Sequence, residues 1–309
     1  MSLSSETTPS RSPFKADLLL LLVTIIAAAG WIFSKEAMAG MPPLLFIGSR
    51  FLLAGLILAI FDARSLGQLS TARKLRASGV GVLFGGAMAC WSLGVALSDQ
   101  LGVIAFINSF GILLVPVLAR LLFKDRPPLS TWIALPTALL GFALLGMGQP
   151  GATDGFTIEP AQWLIFGAAC LFALVFNFNS RLVRNIPALP LTAIQLMTTG
   201  VTCLILSALS ESWPAGISLD ILSWFLASTL IASTLRFFLQ IYAQGLTTPS
   251  HASVILMLEA VWAALMSAAW FGERMTLIQM TGCGLIFTAL LINRWQWISR
   301  LWRQRRVAS

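Results

Sequence analysis

The chain has 309 residues, 57% of them hydrophobic and 10% charged, with a formal net charge of +8 and a mean hydropathy of +0.85. Soluble domains run nearer half apolar and about a quarter charged, so the composition excludes a soluble enzyme, a disordered chain and a disulfide scaffold. The basic residues divide by membrane side instead of forming a nucleic-acid patch. Cys90, Cys170, Cys203 and Cys283 all fall in apolar runs and read as small buried hydrophobes, not as a metal or disulfide set.

A helix needs about 20 apolar residues to cross a bilayer, and ten stretches meet that length. In chain order they are Asp17–Met38, Pro43–Phe61, Ser78–Leu97, Leu101–Phe123 and Leu129–Gly148, then Ala161–Arg181, Ala188–Leu209, Leu219–Ala243, Pro249–Phe271 and Met275–Asn293. What remains is short connectors, too little for a soluble domain. The first stretch is too long for a signal-peptide core and no small-residue cleavage site follows it, so it is expected to stay in the mature protein.

Lys and Arg in short loops set orientation. One side collects Arg11 and Lys15, then Arg64, Arg73, Lys74 and Arg76, then Arg120, Lys124 and Arg126, then Arg181 and Arg184, and the tail residues Arg294, Arg300, Arg303, Arg305 and Arg306. The other side has Lys35 and Arg274, together with Glu36, Asp99, Asp154, Glu159, Glu211, Asp220 and Glu273. Both termini are therefore expected in the cytoplasm, in agreement with an even span count. The basic, Trp-rich end reads either as a solvated tail or as a segment lying along anionic headgroups.

The two halves resemble each other. Phe123-Lys124-Asp125-Arg126-Pro127-Pro128-Leu129 aligns with Phe271-Gly272-Glu273-Arg274-Met275-Thr276-Leu277 at an offset of 148, and Trp31-x-x-Ser34-Lys35 aligns with Asn177-x-x-Ser180-Arg181 at 146. Five helices per half is odd, so the second half enters from the opposite side. The expected fold is all-α and integral to the membrane, ten transmembrane helices as two inverted five-helix repeats, a common plan for transporters with a midplane site. The expected organisation is a cytoplasmic tail (1–16), a first repeat (17–148), an external linker (149–160), a second repeat (161–295) and a basic cytoplasmic tail (296–309).

These residues carry a resemblance to a known family. Gly30-Trp31 with Lys35, Pro42-Pro43 with Arg50-Phe51, and the Asp125-Arg126 and Glu273-Arg274 junctions resemble the drug/metabolite transporter superfamily, in its ten-helix EamA-type branch. The resemblance spans nearly the whole chain. Two departures stand out: Asp125 where Glu is usual, and Glu259-Ala260 where Glu-Pro is frequent. The resemblance implies export of amino acids, other metabolites or cationic drugs, with aromatic amino-acid exporters as the nearest likeness.

Enzymatic motifs are missing. There is no GxxxxGK[ST] and no HExxH, and the lone His251 cannot build a His-based metal site. No catalytic residue, metal or cofactor is expected.

Ionisable residues inside spans cost roughly 2.5–3.5 kcal/mol each and so mark function by default. Three stand well inside: Arg50, Arg236 and Glu259. Arg50 attracts a carboxylate or anchors the first half. Arg236 and Glu259 lie at matching depths on either side of the connector Gln244–Thr248, so they form a structural pair or a substrate site, the pair being the simpler reading. Aromatic candidates are Trp31, Trp91, Trp163, Tyr242, Trp262 and Trp270. Trp91 forms an i, i+4, i+7 stripe with Phe84 and Met88, which serves equally as core or as pocket wall. Asn108, Asn177, Asn179 and Gln195 offer amides either to a substrate or as helix–helix glue. Gly81 and Gly85 form a GxxxG that reads as packing.

The expected function is secondary transport: export of small organic metabolites, amino acids and among them aromatic ones, by alternating access at a plasma membrane of bacterial inner-membrane type. The partners are a small-molecule substrate and the lipid bilayer, with no nucleic acid, in a monomer or weak dimer. Export of cationic drugs or dyes, a channel and a membrane enzyme stand as alternatives.

Overall fold

A computed structural model describes residues 13–124, 129–147, 158–182, 185–246, 255–256, 258–289 and 291–292. The Asp125-Arg126 junction, Asp154, His251 and the tail from Arg294 lie outside these residues, as do the side chains of Ser180 and Tyr242. Among the described residues the regular structure is helical. The helices are α1 (Pro13–Met38), α2 (Pro43–Phe61), α3 (Ala63–Gln68), α4 (Thr71–Leu97), α5 (Leu101–Phe123), α6 (Leu129–Met147), α7 (Pro160–Leu182) and α8 (Ala188–Ser210). Then come α9 (Leu219–Thr229), a π-helical turn (Leu230–Leu235), α10 (Arg236–Leu246) and α11 (Leu258–Phe271). A last helix, α12, covers Leu277–Ala289.

Among the described residues, six helical spans are long and apolar enough to cross a membrane by length and composition, and α5 makes a seventh when its two parts are joined across a 40° bend. That bend lies between Val115 and Val117, where Pro116 supplies no N–H to the helix. The fifth, ninth and tenth expected stretches hold shorter apolar helices: Trp132–Gly141 within α6, α11 and α12. Two features were not foreseen. The connector after α2 contains the short helix α3, and α4 begins seven residues before Ser78, so that Arg73, Lys74 and Arg76 form its polar first turns.

The sequence explains several helix ends. Pro43 opens α2 at its first position, where a missing N–H and a fixed φ are favourable. Glu211 accepts hydrogen bonds from the backbone N–H groups of Leu44 and Leu45, both at 2.8 Å. Glu273 does the same for α5, accepting from Leu101 at 2.8 Å and Gly102 at 3.2 Å. Each carboxylate thus meets the exposed donors and positive pole of a helix from the opposite half of the chain. The ends of α5 and α11 also turn alike. Lys124 and Gly272, 148 residues apart, both adopt left-handed backbone, at φ 59° and 66°, the common way of closing a helix.

The two halves are interleaved. α2 packs along α8, α4 lies against α7 and α8, α5 touches α7 and α11, and α1 is flanked by α9, α10 and α11. A close seam between α4 and α8 uses the GxxxG of α4. A Cβ at Gly81 would come within 2.8 Å of the Thr198 side chain, and one at Gly85 within 2.9 Å of Thr202. The carbonyls of these glycines accept hydrogen bonds from Thr199 (2.9 Å to Gly81) and Cys203 (3.4 Å to Gly85). Large apolar side chains such as Leu53, Leu56 and Ile60 of α2 stay on the outside, as a lipid-facing surface requires.

Candidate functional site

Between the halves lies a cavity of about 260 Å³. Its walls come from α1 (Ala27, Gly30, Trp31), α2 (Ile47, Arg50, Phe51), α4 (Phe84, Met88, Trp91), α5 (Asn108) and α7 (Phe172). The other side is Ala232 of the π-turn, Arg236, Phe237 and Gln240 of α10, and Glu259 of α11. A second space of about 170 Å³ shares Trp31, Asn108, Phe172 and Glu259 with it. It continues along α5 from Ala105 to Val115 and along α7 to Phe176, away from the Lys35 end of α1. The two volumes together fall within the range of small-ligand sites, roughly 300–1,000 Å³.

The aromatic wall is built by edge contacts. Trp31 and Trp91 meet edge to face with ring centroids 5.0 Å apart. Phe84 links Phe51 at 5.7 Å to Phe172 at 5.9 Å. The Phe84–Met88–Trp91 stripe of α4 therefore faces the cavity while also packing on the core.

Three charges line the same space. Arg236 Nη2 lies 3.1 Å from Glu259 Oε2, and Trp31 Nε1 donates to Glu259 Oε1 at 3.1 Å. Arg50 is only 6% exposed. Its Nε donates to the Ser233 hydroxyl at 2.6 Å and its Nη1 to the Ser34 hydroxyl at 2.8 Å, with the Ala232 carbonyl at 3.5 Å. The guanidinium also sits over the rings of Phe46 and Phe51, at 5.7 and 5.5 Å, a cation–π arrangement. No carboxylate is among these partners.

The π-turn makes this possible. Its wider spacing brings Ala232 against Gly30, where a Cβ would sit 2.7 Å from that of Ala232. It also lets Ser233 reach Arg50 while Arg236 and Gln240 still face the cavity. π-turns inside helices are frequent at functional sites. Three polar atoms around the cavity are buried without a hydrogen-bond partner among the described residues: Asn108 Oδ1, Arg236 Nε and Gln240 Oε1.

Other sequence candidates lie elsewhere. Asn177 Nδ2 donates to the carbonyls of Val115 and Ala173, both at 2.9 Å, and Asn179 pairs with Gln195 between α7 and α8. These amides join helices. Trp163 and Trp270 are largely exposed, and Trp262 packs against the core outside the cavity. The side chain of Tyr242 is outside the described set. Sequence reasoning missed Ser34 and Ser233 as partners of Arg50, and Phe172, Phe237 and Gln240 as walls. Gln240 was recoverable, since it lies one helical turn beyond Arg236.

At the Lys35 end the helices are tied together. Lys35 Nζ donates to the carbonyls of Val95 (3.1 Å) and Ala96 (3.0 Å) and to that of Ser98 at the end of α4. Trp270 Nε1 donates to Glu36 at 2.8 Å, and Trp224 packs between Phe33 and Trp270 at 5.8 Å from each.

An all-helical membrane protein with a ligand-sized cavity, walled by rings and by charges facing inward, has the build of a solute transporter. The chain belongs to the EamA-like transporter family, whose pattern matches residues 14–147 and again 160–295. An uncharacterized transporter of Archaeoglobus fulgidus is 28% identical over 294 residues, covering 90% of this chain and 85% of that one. An uncharacterized transporter of Bacillus subtilis is 25% identical over 186 residues, covering 58% of this chain and 59% of that one. A solved crystal structure shares the fold with a TM-score of 0.62 at 16% identity, covering 90% of this chain and 96% of that chain.

Proposed function

We propose that the protein is a secondary transporter that exports small organic metabolites, amino acids and especially aromatic ones, by alternating access. The observation that carries this reading is the cavity itself: both halves contribute walls, and it combines an aromatic face with two guanidinium groups and a carboxylate. Aromatic rings gain about 0.5–1.5 kcal/mol from edge or offset contacts beyond burial alone, and Trp31, Trp91, Phe84 and Phe172 offer several such contacts. Phe84, Met88, Trp91, Trp31 and Asn108 are the proposed substrate-facing residues, with Arg50, Arg236 and Glu259.

The proposed architecture is ten crossings in two inverted repeats, 17–148 and 161–295. It is supported by the twofold family match and by the alike turns at Lys124 and Gly272. It is also supported by contacts that exchange when the halves are swapped. α1 against α11 corresponds to α7 against α5, and α1 against α9 and α10 corresponds to α7 against α4. In such a frame the halves rock about the site. The ties at Lys35 and Glu36 close one end, which charge bias places outside, and the cavity continues toward the other. Both termini are then cytoplasmic.

The test is counterflow in proteoliposomes with each of the twenty amino acids. Phenylalanine, tyrosine and tryptophan exchange saturably and faster than alanine or serine if the reading holds. Equal rates for all, or exchange of none, would refute it.

A further inference from the structure

We infer that the cavity recognises its substrate by a carboxylate and that the substrate's ammonium is dispensable, so that aromatic monocarboxylates without an amino group occupy the same site and aromatic amines do not. This rests on the reading of the cavity as the transport site.

Charge is the first ground. The cavity carries two guanidinium groups and one carboxylate. Glu259 is already engaged at both oxygens, by Trp31 and by Arg236. Arg50 is buried with two hydroxyls and a carbonyl for partners, so one positive charge stands uncompensated among the described residues of the cavity. A monoanion neutralises it, a zwitterion leaves it unchanged, and a cation adds to it. A buried charge without a counterion is strongly unfavourable, and the low dielectric of the cavity magnifies each of these differences.

Unused hydrogen-bonding capacity is the second ground. Arg236 spends its Nη2 on Glu259, while its Nε is buried and has no partner among the described residues. A carboxylate meeting this N–H makes a charge-assisted bond, about twice as strong as a neutral one. The unpartnered acceptors are Asn108 Oδ1 and Gln240 Oε1, both neutral amides. An ammonium therefore finds acceptors without charge, whereas a carboxylate finds a cation. The Trp31–Trp91 pair receives a ring in either case.

Binding to the full-length protein in nanodiscs, measured by calorimetry, tests this with phenylalanine, 3-phenylpropionate, phenethylamine and butyrate. 3-Phenylpropionate binds at least as tightly as phenylalanine, and phenethylamine at least about 30-fold more weakly than 3-phenylpropionate, the scale of one hydrogen bond to a charged group. Phenethylamine binding as tightly as 3-phenylpropionate overturns the inference, and so does failure of both carboxylates bearing a ring to bind. Butyrate binding as tightly as 3-phenylpropionate upholds the charge inference while refuting the aromatic preference proposed above. Two variants separate the roles. Arg236→Lys keeps the charge but removes the Nε donor, and weakens both aromatic carboxylates about tenfold without changing phenethylamine. Glu259→Gln leaves a second guanidinium without a counterion and so keeps or widens the preference for 3-phenylpropionate over phenethylamine. If Glu259→Gln weakens phenylalanine but spares 3-phenylpropionate, Glu259 holds an ammonium and the inference fails.

Discussion

Arg236 and Glu259 meet at 3.1 Å across α10 and α11, and both open onto the cavity, each with a side-chain exposure of 24%. The pair serves two ends at once. It joins α10 to α11, and it places a matched pair of charges on the cavity wall. Breaking such a pair costs more than replacing both partners, because the surviving ion keeps its desolvation penalty.

A double-mutant cycle follows from this. Arg236→Ala and Glu259→Ala each destabilise the protein by up to about 3 kcal/mol, the lower range for breaking a buried pair. The double neutral variant regains most of that stability. Thermal unfolding in detergent measures it. Additive losses would show that the two groups act independently.

Trp91 supplies the aromatic wall by an edge contact with Trp31. Trp91→Ala lowers transport of phenylalanine and tryptophan by about 2- to 10-fold, the value of one aromatic contact of roughly 0.5–1.5 kcal/mol. Alanine and serine transport changes less. An equal loss for all four amino acids would mean that Trp91 only packs.

Glu211 and Glu273 each accept two backbone N–H groups of a helix from the other half. Glu273→Ala and Glu211→Ala lower stability by about 0.5–2 kcal/mol, the cost of a lost cap. Replacement by Asp or Gln costs less than replacement by Ala. No loss in either Ala variant would remove the caps from the account of the fold.

Orientation is tested with single cysteines and a membrane-impermeant thiol reagent on intact cells. Ser70→Cys lies in the basic connector and is protected, and Glu159→Cys lies on the acidic side and is labelled. The reverse pattern would invert the topology.

Much of this helical frame was legible in the sequence because hydropathy alone marks membrane helices. The ends of α2 at Pro43 and Phe61 and of α5 at Leu101 and Phe123 coincide with the apolar runs. The proximity of Arg236 and Glu259 was readable from depth counting along an expected hairpin. The partners of Arg50 were not. Ser34 and Ser233 lie 16 and 183 residues away, and a serine in an apolar helix carries no signal of its mate. The π-turn at Leu230–Leu235 likewise leaves no mark in the periodicity. Asn177 and Asn179 looked as suited to a ligand as Asn108, and only tertiary contacts assign them to helix packing. The caps by Glu211 and Glu273 were hidden too, since charge bias alone accounts for acids on that side.

The central claim is that a substrate crosses by exchange through the cavity between the halves, which proteoliposomes loaded with unlabelled phenylalanine and given labelled phenylalanine outside test directly. The account predicts a transient accumulation of label above equilibrium that saturates with substrate, carries no ohmic current, and is lost in a folded Trp31→Ala, Trp91→Ala double variant. An ohmic current without saturable exchange would contradict it.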